Sequence, residues 1–154
     1  MEVRKSSRLI IVNPDNKLLL FSYCDEHSGQ FWATVGGELV GSETYLDAAK
    51  RELYEETGLI QEVGRFLRDR EDVYAVARSE PAQWLEKYFL VNWPADKEVR
   101  AEKWSDEECS TIQKWKWWSL SEIMQEAQES FKPEWLPELF EKVLLESSMP
   151  NKAF

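Results

Sequence analysis

Apolar and polar residues alternate along several short stretches of this chain, as they do in half-buried β-strands. Residues 8–12 and 17–23 are rich in β-forming side chains, and the Asn-Pro-Asp-Asn sequence between them favours a turn. Residues 31–35 predict a third strand that leads into a flexible loop at Gly36 and Gly37. Further strands are predicted within residues 59–66, 71–77, 83–93 and 114–118.

Three other stretches have the spacing of helices. The first is predicted to begin near 42–44, where hydroxyl side chains can cap it, and to end at Thr57, before Gly58. Its predicted apolar face contains Leu46, Ala49 and Leu53. A capping box at Ser119-Leu-Ser-Glu predicts a second helix, to about residue 129, and a third follows Pro133 with apolar positions at Leu136, Leu139, Phe140, Val143 and Leu144.

The order of these elements predicts one α/β domain with a mixed sheet, spanning residues 1–154. The formal net charge of -10 argues against binding to nucleic acid or to an anionic membrane surface. Cys24 and Cys109 are far apart and lack a metal-binding spacing, so reduced thiols are expected. No apolar leader or membrane-spanning stretch is visible, and the protein is predicted to be cytoplasmic.

An acidic pattern dominates the first predicted helix and the segment before it. Glu52, Glu55 and Glu56 fall within roughly 100° of one another on the flank of the apolar face. Carboxylates so close repel each other, and a hard divalent cation such as Mg²⁺ or Mn²⁺ relieves that repulsion through oxygen ligands. The pattern's fixed positions are Gly37, Glu43, Arg51, Glu52, Leu53, Glu55, Glu56, Gly58 and Leu59.

This spacing resembles the Nudix box of the MutT-like Nudix hydrolases, written Gly-(x)5-Glu-(x)7-Arg-Glu-U-x-Glu-Glu-x-Gly-U with U a bulky apolar residue. The resemblance implies a Nudix-type α/β/α sandwich with a mixed β-sheet. It also implies Mg²⁺-dependent hydrolysis of a diphosphate (phosphoanhydride) linkage in a nucleoside diphosphate linked to a moiety X, by metal-activated water attack on phosphorus.

The same resemblance assigns site residues. Glu52, Glu55 and Glu56 are the expected metal ligands, with the backbone carbonyl of Gly36 as an additional ligand, and Glu52 is the first choice for general base. Arg51 is a further catalytic candidate, although its position in the family more often pairs with that of Glu43 to brace the loop against the helix.

Substrate contacts are expected outside the box. Aromatic side chains can stack on a nucleobase, but each aromatic candidate is also suited to the core. A further acidic residue is sought first at Glu108, with solvated surface charge as the alternative. Arg68 and Arg70 are suited equally to phosphate contact or to surface ion pairs. The aromatic candidates are Trp32, Tyr74, Trp84 and Tyr88, and the other acidic candidates are Asp106, Glu107 and Glu86.

The sequence is compatible with two hypotheses about function. The first is a pyrophosphohydrolase that acts on a nucleotide-type small molecule, with homodimerisation as an option common in the family. The alternative is a noncatalytic Nudix-fold module that binds a nucleotide or a partner as a regulator. Such modules usually lose carboxylates of the box, whereas this chain retains them all.

Overall fold

The computed structural model describes residues 1–25, 29–75, 79–100 and 112–148. Within these ranges the chain has eight β-strands and three α-helices. In chain order they are β1 (Val3–Val12), β2 (Leu18–Asp25), β3 (Gly29–Ala33), β4 (Val35–Glu38), α1 (Tyr45–Thr57), β5 (Phe66–Tyr74), β6 (Ala82–Asn92), β7 (Ile112–Trp118), α2 (Leu120–Gln125), β8 (Phe131–Lys132) and α3 (Leu136–Ser148).

The strands form one mixed sheet in the order β5-β6-β1-β2-β3-β8, with β4 also paired to β1 and β7 to β2. The β1–β6 and β3–β8 pairs are parallel, and the other pairs are antiparallel. Strand β1 pairs with β2 only near its C-terminal end, while its middle residues, 6–9, pair with β4. This arrangement places β4, which leads to α1, beside the middle of the sheet.

Alternate residues of the central strands supply two separate hydrophobic cores. On one face, Leu9 and Ile11 of β1 pack with Ala49 and Leu53 of α1. On the opposite face, Ile10 of β1 and its neighbours pack against α2 and α3, burying Ile123, Leu136, Leu139, Phe140 and Val143. Helices therefore cover both faces of the sheet, which confirms the predicted α/β class and its α/β/α layers.

Local signals set the ends of the predicted hairpin and helices. The side chain of Asn13 accepts hydrogen bonds from the backbone of Asp15 and Lys17, which closes the β1–β2 turn. Helix α1 begins after a capping box between Thr44 and Asp47. It ends at Gly58, whose φ of 80° suits glycine. These boundaries, and the capping box of α2, agree with the sequence prediction.

The prediction was wrong in the segment after α1. Residues 59–65 form no strand, and β5 begins only at Phe66. Leu59 and Val63 pack into the core beneath α1 from an irregular segment, so their spacing imitates that of a strand. The strand predicted at 71–77 is the second half of β5, which ends at Tyr74, and residues 76–78 lie outside the described residues.

Three further predictions need correction. The predicted glycine loop is strand β4, because the backbone of Gly36 and Gly37 pairs with β1. Helix α2 ends at Gln125 rather than near residue 129, because Glu126 adopts an extended conformation. Leu46 lies in the first turn of α1 and is 52% exposed, so the buried face begins with the two alanines that follow it. None of the helices in the described ranges has the length and apolar character needed to cross a membrane.

Candidate functional site

The three glutamates of the acidic pattern lie on helix α1, and strand β4 lies against them. Glu52 and Glu56 are buried, whereas Glu55 is partly exposed at the surface of the helix. They are interspersed with the apolar residues Ala49 and Leu53, which anchor the same helix to the sheet. Packing of the apolar stripe therefore fixes the flank on which the carboxylates lie.

The two glycines of β4 bring the backbone against these carboxylates. The Gly36 N–H donates a hydrogen bond to Oε1 of Glu56 at 2.9 Å. A Cβ on Gly37 would lie 2.4 Å from Oε1 of Glu52, and a Cβ on Gly36 would lie 2.2 Å from the backbone oxygen of Ser7. The clash at Gly36 is with the backbone of β1, so only glycine permits this close approach of β4 to β1. The clash at Gly37 is with the end of the Glu52 side chain, which lies directly against β4.

Arg51 lies among the acidic side chains. Its guanidinium donates to Glu43 at 2.7 and 2.9 Å, to Glu52 at 2.7 Å and to Glu55 at 3.2 Å. It also donates to the backbone oxygen of Glu38 at 3.0 Å, next to the glycines. The hydrogen bonds from Arg51 hold the pKa of Glu43 below its usual range. In turn the hydrogen bond to Glu43 raises the pKa of Arg51, against the effect of burial. Arg51 thus ties the segment before α1 to the helix.

The chemistry of this donor set suits a divalent cation. Three carboxylates and a backbone carbonyl offer only oxygen, the ligand that Mg²⁺ and Mn²⁺ prefer. As the side chains stand, no three His, Cys, Asp or Glu residues in the described ranges converge on one point. Arg51 holds both Glu52 and Glu55. A cation shared by the three glutamates therefore competes with Arg51 for two of them.

The aromatic candidates lie elsewhere. Trp32 and Tyr88 are buried in the core between the sheet and helices α2 and α3, on the face opposite α1. Trp84 is also buried, and Tyr74 stacks on it with ring centroids 5.4 Å apart. The indole N–H groups of Trp32 and Trp84 have no hydrogen-bond partner within the described part of the chain. The structure therefore does not gather these rings around the glutamates.

Two charged residues on β1 and β6 form a site that the sequence prediction did not place. Glu86 is one of the acidic candidates from the sequence, and the alternative of an edge-facing surface residue is wrong, because β6 lies inside the sheet and the Glu86 side chain is fully buried. It accepts a hydrogen bond from Arg8 at 2.9 Å. In the sequence, Arg8 is two residues from Ile10 on the same strand, and this spacing indicates that both side chains lie on the same face of the sheet, towards the core.

The acidic candidates Glu108, Asp106 and Glu107 lie outside the described residues.

The fold matches solved structures closely in shape and distantly in sequence. A MutT NUDIX hydrolase from Burkholderia pseudomallei gives a TM-score of 0.69 at 19% identity, covering 93% of this chain and 99% of that one. The E. coli dihydroneopterin triphosphate pyrophosphohydrolase gives 0.68 at 16% identity, with 94% and 99% covered. The NUDIX domain of Shewanella oneidensis NrtR, solved with ADP ribose, gives 0.67 at 15% identity, with 94% and 89% covered.

Sequence comparison adds one curated relative and one family. An octanoyltransferase from Myxococcus xanthus is 36% identical over 88 residues, which are 56% of this chain and only 24% of that protein. The family model of the NUDIX domain matches residues 3–139, and this range contains the acidic helix, both glycines and all eight strands described above. The chain belongs to the Nudix family.

Proposed function

We propose that this protein is a Mg²⁺-dependent hydrolase that cleaves a diphosphate linkage in a nucleoside diphosphate linked to a moiety X. The observation that carries the proposal is the position of Glu52, Glu55 and Glu56 on one flank of α1, with Glu56 bonded to the Gly36 backbone. Because the net charge is strongly negative, an acidic substrate needs a local cationic patch or a bound divalent cation, and the acidic helix points to a cation.

Each residue of the site has a proposed role. Glu52, Glu55 and Glu56, with the Gly36 carbonyl, would hold the cation, which when bound neutralises phosphate charge and lowers the pKa of a coordinated water. Glu52 is the first choice to accept a proton, because its position in the Nudix box serves that role in some members of the family. Arg51 positions Glu52 and Glu55 rather than contacting the substrate.

The proposal is tested by a hydrolysis assay over a broad panel of substrates. The panel contains nucleoside triphosphates, dinucleotides, nucleotide sugars and ADP-ribose, each with Mg²⁺ or Mn²⁺. We expect release of phosphate, pyrophosphate or a nucleoside monophosphate from at least one compound, and loss of that activity when EDTA removes the metal. An absence of products across the whole panel with either metal would refute the hydrolase proposal.

Replacing Arg51 with glutamine is expected to make the stability of the protein more dependent on Mg²⁺. The variant loses the cation that contacts Glu43, Glu52 and Glu55, so their mutual repulsion is relieved only by metal. A ligand present at 100 times its Kd stabilises a protein by about 2.7 kcal/mol, and the variant should gain more from metal than the wild type does. Thermal unfolding in EDTA and in saturating MgCl₂ measures this difference.

A suitable control for Arg51→Gln is Arg65→Gln, which removes an equally charged side chain from an exposed pair with Glu146. Surface changes of this kind usually alter stability by less than about 0.5 kcal/mol, and no added response to Mg²⁺ is expected. If Arg51→Gln and the wild type show the same Mg²⁺-dependent shift in Tm, a cation does not compete with Arg51 for these carboxylates.

The second candidate is a noncatalytic module that binds a nucleotide-type ligand. The likeness to the NrtR NUDIX domain, which was solved with ADP ribose, supports ligand binding by this fold. Retention of Glu52, Glu55 and Glu56 favours the enzyme. Isothermal titration with ADP-ribose, alongside the hydrolysis assay, separates the two: binding without turnover of any compound would favour the module.

A further inference from the structure

A cluster of charged side chains is built into the sheet on the face opposite α1. At its centre is Glu86 of β6, whose side chain is fully buried. Its Oε2 accepts from the hydroxyl of Ser6 and from Nε of Arg8 at 2.9 Å, and its Oε1 accepts from Arg70 at 3.0 Å and from the hydroxyl of Tyr74 at 2.9 Å. These five residues are called the Glu86 cluster below.

The Glu86 cluster contains two guanidinium groups and one buried carboxylate. Burial acts to raise the pKa of Glu86, but the charge of Arg8 and the hydrogen bonds from Ser6 and Arg8 outweigh it and leave the pKa below its usual range. The pKa of Arg8 lies well above its ordinary value despite burial, chiefly because of Glu86. Glu86 therefore stays ionised at neutral pH and balances only one of the two arginines.

Of the two arginines, Arg8 has guanidinium N–H donors that make few hydrogen bonds. Arg70 donates Nη1 to Glu86 and Nη2 to the exposed Asp72 at 3.4 Å. Arg8 donates Nε to Glu86, and Nη1 lies 3.5 Å from the backbone oxygen of Thr34, at the limit of a hydrogen bond. Within the described part of the chain its Nη2 makes no hydrogen bond. The side chain of Arg8 as a whole is 19% exposed.

Arg8 also lies beside Gly36 of β4, the glycine that contacts a proposed catalytic residue. It is directly opposite Gly36 in the β1–β4 pairing, and a Cβ on Gly36 would lie 2.9 Å from the Cδ of Arg8. The same glycine donates its N–H to Glu56. Among the described residues Arg51 is also near the glutamates, but four acceptors already hold it. Of these two arginines, Arg8 is therefore the better placed to meet an anion next to β4.

We propose that Arg8, held by Glu86, binds a phosphate oxygen of the substrate at a subsite that does not depend on metal. A guanidinium held at Nε presents its two Nη groups in one plane, a geometry that matches two phosphate oxygens. The inference rests on the proposed function for the identity of the substrate, because that function supplies the phosphate group.

The direct test uses inorganic pyrophosphate as the probe, with EDTA present, in isothermal titration with the full chain. Wild-type protein should bind pyrophosphate, and Arg8→Gln should weaken that binding about 10- to 100-fold, as expected for losing hydrogen bonds to a charged group. Arg8→Lys keeps the charge but loses the planar fork, so an intermediate affinity is expected. Lys5→Gln removes an exposed charge from the same strand and should leave binding within about twofold.

The fold should survive these changes, because Arg8→Gln leaves Glu86 paired with Arg70. Thermal unfolding checks each variant, and Arg8→Lys carries the test alone if Arg8→Gln does not fold. Equal affinity in wild type, Arg8→Gln and Arg8→Lys, or no binding by the wild type, would overturn the inference. Equal weakening by Lys5→Gln would also overturn it, because the effect would then be one of general charge.

The titration also separates this inference from the proposed function. Arg8-dependent binding of pyrophosphate in a protein that hydrolyses nothing would keep the subsite and reject the hydrolase. Turnover by the wild type with an unchanged KM in Arg8→Gln would keep the hydrolase and reject the subsite. If both hold, Arg8→Gln should raise KM about tenfold or more for the substrate identified in the panel.

Discussion

Glu56→Gln is expected to reduce kcat by at least roughly 10²-fold while leaving the protein folded. In metal sites, loss of a residue that only supports a ligand already costs about 10–100-fold, and Glu56 is a proposed ligand. Glutamine retains a side-chain oxygen that can accept the hydrogen bond from the Gly36 N–H, so the contact between α1 and β4 can persist. The substitution therefore removes the negative charge of the Glu56 side chain and keeps the shape of that side chain. The measurement is the hydrolysis rate with Mg²⁺, accompanied by a thermal melt.

The control for this prediction is Glu141→Gln, the same chemical change at an exposed position of α3. Its rate and Tm should match those of the wild type. Glu55→Gln should also lose most of the activity, and it should do so with little change in stability because Glu55 is partly exposed. A Glu56→Gln protein that keeps near wild-type kcat would remove Glu56 from the ligand set.

The helix that carries the site could be predicted because its signals are local. A capping box, a glycine at the C-terminal end and the spacing of Ala49 and Leu53 all lie within the segment that they define. The flank occupied by Glu52 and Glu56 then follows from helical geometry alone. The roles of these glutamates remain predictions, but their positions required no knowledge of the rest of the fold.

Strand β4 and the Glu86 cluster were missed because both depend on contacts far apart in the sequence. Gly36 and Gly37 have no side chains to reveal a strand, and β4 is defined only by its pairing with β1. Glu86 looked like a surface residue because glutamate is rarely buried without partners. Its partners are 16 and 78 residues away, at Arg70 and Arg8, and the sheet topology alone brings them together.

The largest loss of stability is expected from Glu86→Ala. Removing the carboxylate leaves Arg8 and Arg70 without their shared partner in a largely buried position, and breaking such a network typically costs about 3–5 kcal/mol. For a protein of this size that corresponds to a decrease in Tm of about 6–20 °C. Urea denaturation and a thermal melt measure the effect. Glu71→Gln, an exposed carboxylate on the adjacent strand β5, is the control and should change stability by less than about 0.5 kcal/mol.

Glu86→Gln should also destabilise the protein, because four donors converge on this side chain and an amide adds two more donors to them.

The same substitution should change the pH dependence of stability. Glu86 has a lowered pKa in the folded state, so its contribution is present above the unfolded pKa of about 4.3 and is lost as pH falls through the folded value. Stability of Glu86→Gln should therefore fall less steeply than that of the wild type in this acidic range.

A triple variant distinguishes unpaired charge from a simple cavity as the cause of the loss. Replacing Arg8 and Arg70 with methionine and Glu86 with leucine removes all three charges and keeps apolar volume in their place. Buried ion pairs replaced in this way often cost nothing, so the triple variant should recover most of the stability lost in Glu86→Ala. Equal instability of the two variants would show that packing, rather than charge, holds β1, β5 and β6 together here. Recovery would instead indicate that the buried charges contribute little net stability, consistent with a role for Arg8 in binding.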